Sequence, residues 1–125
     1  MKTLWLDTET FNEESIKSGL YRYAEHMSLE VMIFTYAIDD GDVYLWEPEV
    51  QPIPVDLLRA IEDPTVQKVA WNAQFDREVI NHGLSAFIPI EQWRCVMVKA
   101  LAHGLPGSLA ECGEVLGLAE DQAKL

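Results

Sequence analysis

The sequence predicts an α/β domain built on a mixed sheet with helices on its faces. Three observations carry that expectation. Apolar runs rich in β-branched and aromatic residues come early and two of them meet across Asp39-Asp40-Gly41, a strong hairpin signal. Strand-like and helix-like segments then alternate, which is the pattern of parallel crossovers. The 125 residues are 49% hydrophobic and 24% charged, with no internal repeat and no linker-like stretch, so residues 1–125 read as one unit. A chain of this mass buries about two-thirds of its unfolded surface, enough for a core without covalent staples.

The elements follow in order. Thr3-Leu4-Trp5-Leu6 reads as a short buried strand that stops at the polar run Asp7-Thr8-Glu9-Thr10. Residues 11–28 are mixed and hydrophilic and read as an exposed excursion. Val31–Ile38 and Val43–Trp46 form the two arms of the hairpin. Pro48, Pro52 and Pro54 break the chain, and Pro54 opens a helix over 55–62 with Leu57, Leu58 and Ile61 on one face. Gln67–Trp71 reads as a buried strand and Ala73–His82 as a helix closed by Gly83. A strand over Gln92–Cys95 runs into a helix from Val96 to His103. Ser108 caps a last helix, with Glu111 at capping-box spacing and Gly117 at its end. That is five strands in a mixed sheet flanked by helices.

Charge narrows the function classes. Residues 1–62 carry 13 acids and 4 bases, and residues 63–125 carry 8 acids and 5 bases, for a net charge of −12. A purely electrostatic grip on DNA or RNA is excluded, because phosphate binding needs clustered Lys and Arg. Nucleic-acid chemistry here has to recruit metal ions or a basic partner. Cys95 and Cys112 lack CxxC spacing and read as reduced, partly buried thiols. His26, His82 and His103 lack metal-ligand spacing. Trp5, Trp46, Trp71 and Trp93 lie in or beside strands and are assigned mostly to the core, whereas Tyr21 and Tyr23 are placed to meet a nucleotide or a partner. Nothing resembles a signal peptide, and no apolar run approaches the roughly 20 residues of a membrane span, so a cytoplasmic protein with no membrane partner is expected.

Two places hold carboxylates that can carry chemistry. Asp7 and Glu9 are two residues apart, and the period of an extended strand puts both on one side. Two acids so close repel unless a divalent cation lies between them, which suits Mg²⁺ or Mn²⁺, although acidic pairs are also common at turns. Asp76 follows Trp71-Asn72-Ala73-Gln74-Phe75 and falls near the first turn of a helix, with Asn72 as its cap and Phe75 toward the core. There it either complements the positive helix end or joins a ligand site at the carboxyl ends of the strands.

Asp7-Thr8-Glu9-Thr10 and Asn72-Ala73-Gln74-Phe75-Asp76 resemble the first and second motifs of the DEDD, or DnaQ-like, 3′–5′ exonucleases. Gly19–Glu25, Ile33–Ala37 with Asp39-Asp40-Gly41, and His103–Leu109 are similar to the N-terminal exonuclease domain of phage and bacterial family A DNA polymerases. The resemblance spans the chain and implies a ribonuclease H-like fold. It also implies metal-dependent removal of 3′-nucleotides from single-stranded DNA. By resemblance Asp7 would bridge two ions, Glu9 would bind the nucleophile-side ion, and Asp76 would hold the second through water. Thr10, Phe11 and Asn72 would lie near the terminal nucleotide.

The family's third motif, Tyr-x-x-x-Asp or His-x-x-x-x-Asp on a late helix, has no counterpart: after Asp76 the only Asp is Asp121, with Gly117 four residues before it. The last helix of the family is therefore expected to be missing. Without that Asp, slow or absent turnover is expected, since the ions do most of the work. Three explanations stay open: a cut-down polymerase domain, a fold completed in trans by a protein or a second copy, or a non-catalytic binder. For the binder, the acidity suits docking on a basic protein surface, such as a phage inhibitor on a host nucleic-acid-binding defence complex.

Overall fold

The computed structural model describes residues 1–11, 19, 30–84 and 86–118. Among these, the strands are β1 (Thr3–Phe11), β2 (Glu30–Ile38), β3 (Tyr44–Trp46), β4 (Gln67–Ala70) and β5 (Trp93–Cys95). The helices are α1 (Val55–Glu62), α2 (Ala73–Gly83), α3 (Val96–Ala102) and α4 (Leu109–Val115), with a 3₁₀ turn at Ile90–Gln92 before β5. The sheet has the order β3-β2-β1-β4-β5. β1 runs antiparallel to β2 and parallel to β4, and β4 runs parallel to β5. This is the mixed five-stranded sheet with helices that the element order predicts, and β1 lies at its centre.

The main core lies on one face of the sheet. Leu4 and Leu6 of β1, Phe34 and Tyr36 of β2, Ala70 of β4 and Trp93 of β5 pack there against Leu57, Ala60 and Ile61 of α1 and Ala73, Val79 and Ile80 of α2. Lys68 shares that face of β4 and is fully buried. Its ammonium donates to the carbonyl oxygens of Asp63 and Val66, both at 2.9 Å, and to Gln92 Oε1 at 2.7 Å. One side chain thus ties the α1–β4 loop to the 3₁₀ turn.

Two expectations change. β1 does not stop at Leu6 but continues to Phe11, because β2 pairs with it from Leu4↔Ile38 through Phe11↔Glu30. The acidic motif is therefore a stretch of strand, not a turn after one. Trp46 and Trp93 are core, but Trp5 is 47% exposed and Trp71 half-buried. Trp5 sits on the pleat face away from the core, where apolar clefts run between β1, β4, α3 and α4. Both cysteines are free thiols, Cys112 buried and Cys95 half-buried. Tyr21, Tyr23, His26 and most of the Gly19–Glu25 stretch lie outside the described residues.

Candidate active site

β1 alternates strictly around the acidic motif. Leu4, Leu6 and Thr8 are buried, whereas Trp5, Asp7 and Glu9 are exposed. That is the period of two expected of a strand, and it puts both carboxylates on one open face beside Trp5. Pairing to β2 shifts register between Glu9 and Thr10, with Glu9 opposite Ile33 and Thr10 opposite Val31. One extra residue of β2 is accommodated there, a bulge of the kind that bends a strand and re-aims side chains.

The other edge of β1 shapes the rest. Its parallel ladder to β4 covers Thr3↔Gln67, Leu4↔Lys68 and Trp5↔Val69. Further along, no strand among the described residues pairs with β1 on this side to receive the Thr8 N–H. α2 supplies the acceptor instead. Asn72 adopts a left-handed backbone (φ 56°, ψ 62°) that turns the chain out of β4 and starts the helix at Ala73. Asp76, on the first turn, then accepts from the Thr8 N–H at 3.2 Å and from the Thr8 hydroxyl at 2.7 Å, both on Oδ1. Asp76 is 2% exposed, so these charge-assisted bonds replace water. The expected side-chain cap by Asn72 does not form; the Ala73 N–H is given to Cys95 Sγ at 3.3 Å.

The predicted site residues thus fall into two groups. Asp7 and Glu9 share the exposed face of β1, and Asp76 stands behind them, against Thr8. Thr10 is half-buried, Phe11 closes β1 opposite Glu30, and Asn72 is exposed at the β4–α2 junction. Among the described residues no group of three or more His, Cys, Asp or Glu side chains could hold a metal ion. The Asp7–Glu9 pair suits one hard cation completed by water or phosphate oxygens. Asp76 is held at the back of this face through its Oδ1, which accepts twice from Thr8.

Two groups escaped sequence reasoning. Trp5 was assigned to the core, although it shares the parity of Asp7 and Glu9. A cleft of about 340 Å³ lies beside Asp7, lined by Trp5, Val69, Trp71, Val96 and Leu109 among others. Thr8, the middle residue of the Asp-x-Glu motif, had no signal, because its partner is 68 residues away. No helix among the described residues is long and apolar enough to cross a membrane.

Comparison with known proteins places these features. No family model matches the sequence. The DNA polymerase of Bacillus phage SP02 is 36% identical over 126 residues, which cover 99% of this chain and 19% of the polymerase. The chain therefore spans about a fifth of that relative's length. Among solved structures, Brucella melitensis NrnC bound to pGG superposes with a TM-score of 0.67 at 17% identity, over 99% of this chain and 57% of NrnC. NrnC with bound Mg²⁺ gives a TM-score of 0.66 at 17% identity, over 98% of this chain and 57% of NrnC. The EXD2 exonuclease domain soaked in Mn and GMP gives 0.55 at 16% identity, over 99% of this chain and 65% of that domain. The fold is that of the ribonuclease H-like exonucleases.

Proposed function

We propose that this chain, a DnaQ-like exonuclease domain akin to part of a phage DNA polymerase, holds the 3′ end of a single DNA strand against Asp7 and Glu9. We further propose that these 125 residues alone cleave that strand slowly or not at all. One observation carries the reading: Asp7 and Glu9 stand together on an exposed strand face, next to an open cleft with Trp5 and Trp71 in its walls. The exposed ring of Trp5 offers a stacking surface for a base, a contact every base can make. The two carboxylates repel a bare phosphodiester, so binding there depends on a divalent cation, Mg²⁺ or Mn²⁺ in the neighbours. Low turnover follows from the donor set, because residues 1–125 contain no third-motif Asp.

The test is digestion of a 3′-labelled single-stranded oligonucleotide with Mn²⁺, comparing wild type with Asp7→Ala. Slow 3′ trimming that disappears in Asp7→Ala supports the reading; equal trimming by both proteins sinks it. A second reading is favoured by the exposed acids Asp39, Asp40, Asp42, Glu47 and Glu49 around the β2–β3 hairpin. Such exposed acids suit docking on a basic protein surface, and that binding would be indifferent to Asp7→Ala.

A further inference from the structure

Leu4, Leu6 and Thr8 form the buried series of β1, and Thr8 is the polar member of it. Val would have nearly the same shape at that position, so the hydroxyl asks for a reason beyond packing. It donates to Asp76 Oδ1 at 2.7 Å, and the Thr8 main-chain N–H donates to the same oxygen at 3.2 Å. The Thr8 nitrogen is bonded to the carbonyl carbon of Asp7, so ordinary bond lengths put Asp76 Oδ1 within about 6 Å of Asp7 Cα. A carboxylate that is 2% exposed thus stands close beside an exposed one. Burying a charge there is costly, and the two donors of Thr8 offset part of that cost, because bonds to a charged acceptor are the stronger kind.

We propose that Thr8 is a positioning residue for the divalent cation at Asp7 and Glu9: by donating twice to Asp76 Oδ1 it fixes a third negative charge beside Asp7, at the back of the same face. The proposal rests on the reading of Asp7 and Glu9 as the ion-facing pair. It gives the middle residue of Asp7-Thr8-Glu9 a task that its two neighbours cannot perform, since strand alternation sends them outward and Thr8 inward. A charge held on the buried side of the strand is poorly screened by water, so an ion on the open side gains from it. Groups that anchor a carboxylate near an ion in this way weaken ion binding when they are removed.

Calorimetric titration of the full chain with Mn²⁺ tests this apart from stability. Wild type should bind the ion and Asp7→Ala should abolish the binding. Thr8→Val and Asp76→Asn should each weaken it by about tenfold, while Thr8→Ser, which keeps the donor, should restore it to within about threefold of wild type. Asp76 makes a further interaction besides those with Thr8, so the double variant isolates the share of Thr8. In the Asp76→Asn background, Thr8→Val should change the affinity by less than about twofold. A purely structural Thr8 would lower the urea midpoint in Thr8→Val and leave the Mn²⁺ affinity of the folded protein unchanged. That result, or full and independent losses in the double variant, overturns the positioning role and leaves the Asp7–Glu9 reading standing. Binding indifferent to Asp7→Ala, or no binding by wild type, overturns both. Should Thr8→Val fail to fold by circular dichroism, Thr8→Ala removes the same hydroxyl and takes its place, and unchanged affinity in Asp76→Asn overturns the proposal by itself.

Discussion

The Thr8 hydroxyl lies 2.7 Å from Asp76 Oδ1, joining the pleat of β1 to the first turn of α2. Both groups are more than nine-tenths buried, and the contact closes a loop of 68 residues. It therefore bears on stability as well as on the site. Thr8→Val removes one hydrogen bond to a buried charge and should lower the unfolding free energy by about 1.5–3 kcal/mol. Urea denaturation would read this as a lower midpoint at unchanged slope. Thr8→Ser, which keeps the donor, should lose only the small packing term of one methyl.

Trp5 should matter for ligand and not for folding. Its ring is 47% exposed and lies beside Asp7. Trp5→Ala should weaken Mn²⁺-dependent binding of a short single-stranded oligonucleotide by about tenfold, the worth of one base–aromatic stack. Fluorescence anisotropy measures this, and an unchanged thermal melt checks that the fold is intact.

Lys68 predicts behaviour in alkali. Burial pushes its ammonium below the ordinary lysine value of 10.5, with the charge of Asp63 partly opposing. Between the folded value and 10.5 the unfolded chain holds a proton that the folded chain has released, so this group's contribution to stability rises with pH there. Wild type should therefore gain on Lys68→Met as pH is raised from neutral toward about 10.5 in paired urea titrations. The comparison with the variant matters because Tyr36 acts in the opposite sense: burial, and then the nearby Asp56, raise its phenol above 10.0. Stability from that group is lost as its folded value is passed.

Asp39 predicts behaviour in acid. Its carboxylate accepts from the backbone N–H groups of Lys2 and Thr3 at 2.8 and 2.9 Å, and these bonds hold its carboxyl below the usual 3.8. The stabilisation is present above that value and lost as pH falls through the lower folded one. Asp39→Asn should be less stable than wild type at neutral pH, and the gap should close in acid. Asp63, held low by the Thr65 hydroxyl and N–H, should show the same trend.

Much of the fold was legible along the chain. The order of strands and helices along the chain, the hairpin at Asp39-Asp40-Gly41, the bounds of α1 and the Ser108 cap, which accepts from Glu111 N at 3.4 Å, all rest on local patterns. The extent of β1 was not legible. Polar residues look like the end of a strand unless one knows that β2 continues beside them to Glu30. The cap of α2 was misassigned for a related reason. Asn72 is a favoured cap residue, yet its left-handed backbone and the thiol of Cys95, 22 residues from Ala73, do that work instead.

The candidate site divides the same way. That Asp7 and Glu9 share a face follows from the two-residue period of any strand, and the same parity, followed back two residues, puts Trp5 beside them. Backbone sterics alone enforce that relation, so the sequence by itself determined it. Whether Asp76 joins them was decided by tertiary structure: by where β4 ends, how Asn72 turns the chain, and which donors of β1 are left for α2 to meet. A carboxylate in a nearly dry site goes to the donors that packing leaves unpaired, and no local pattern shows where those are.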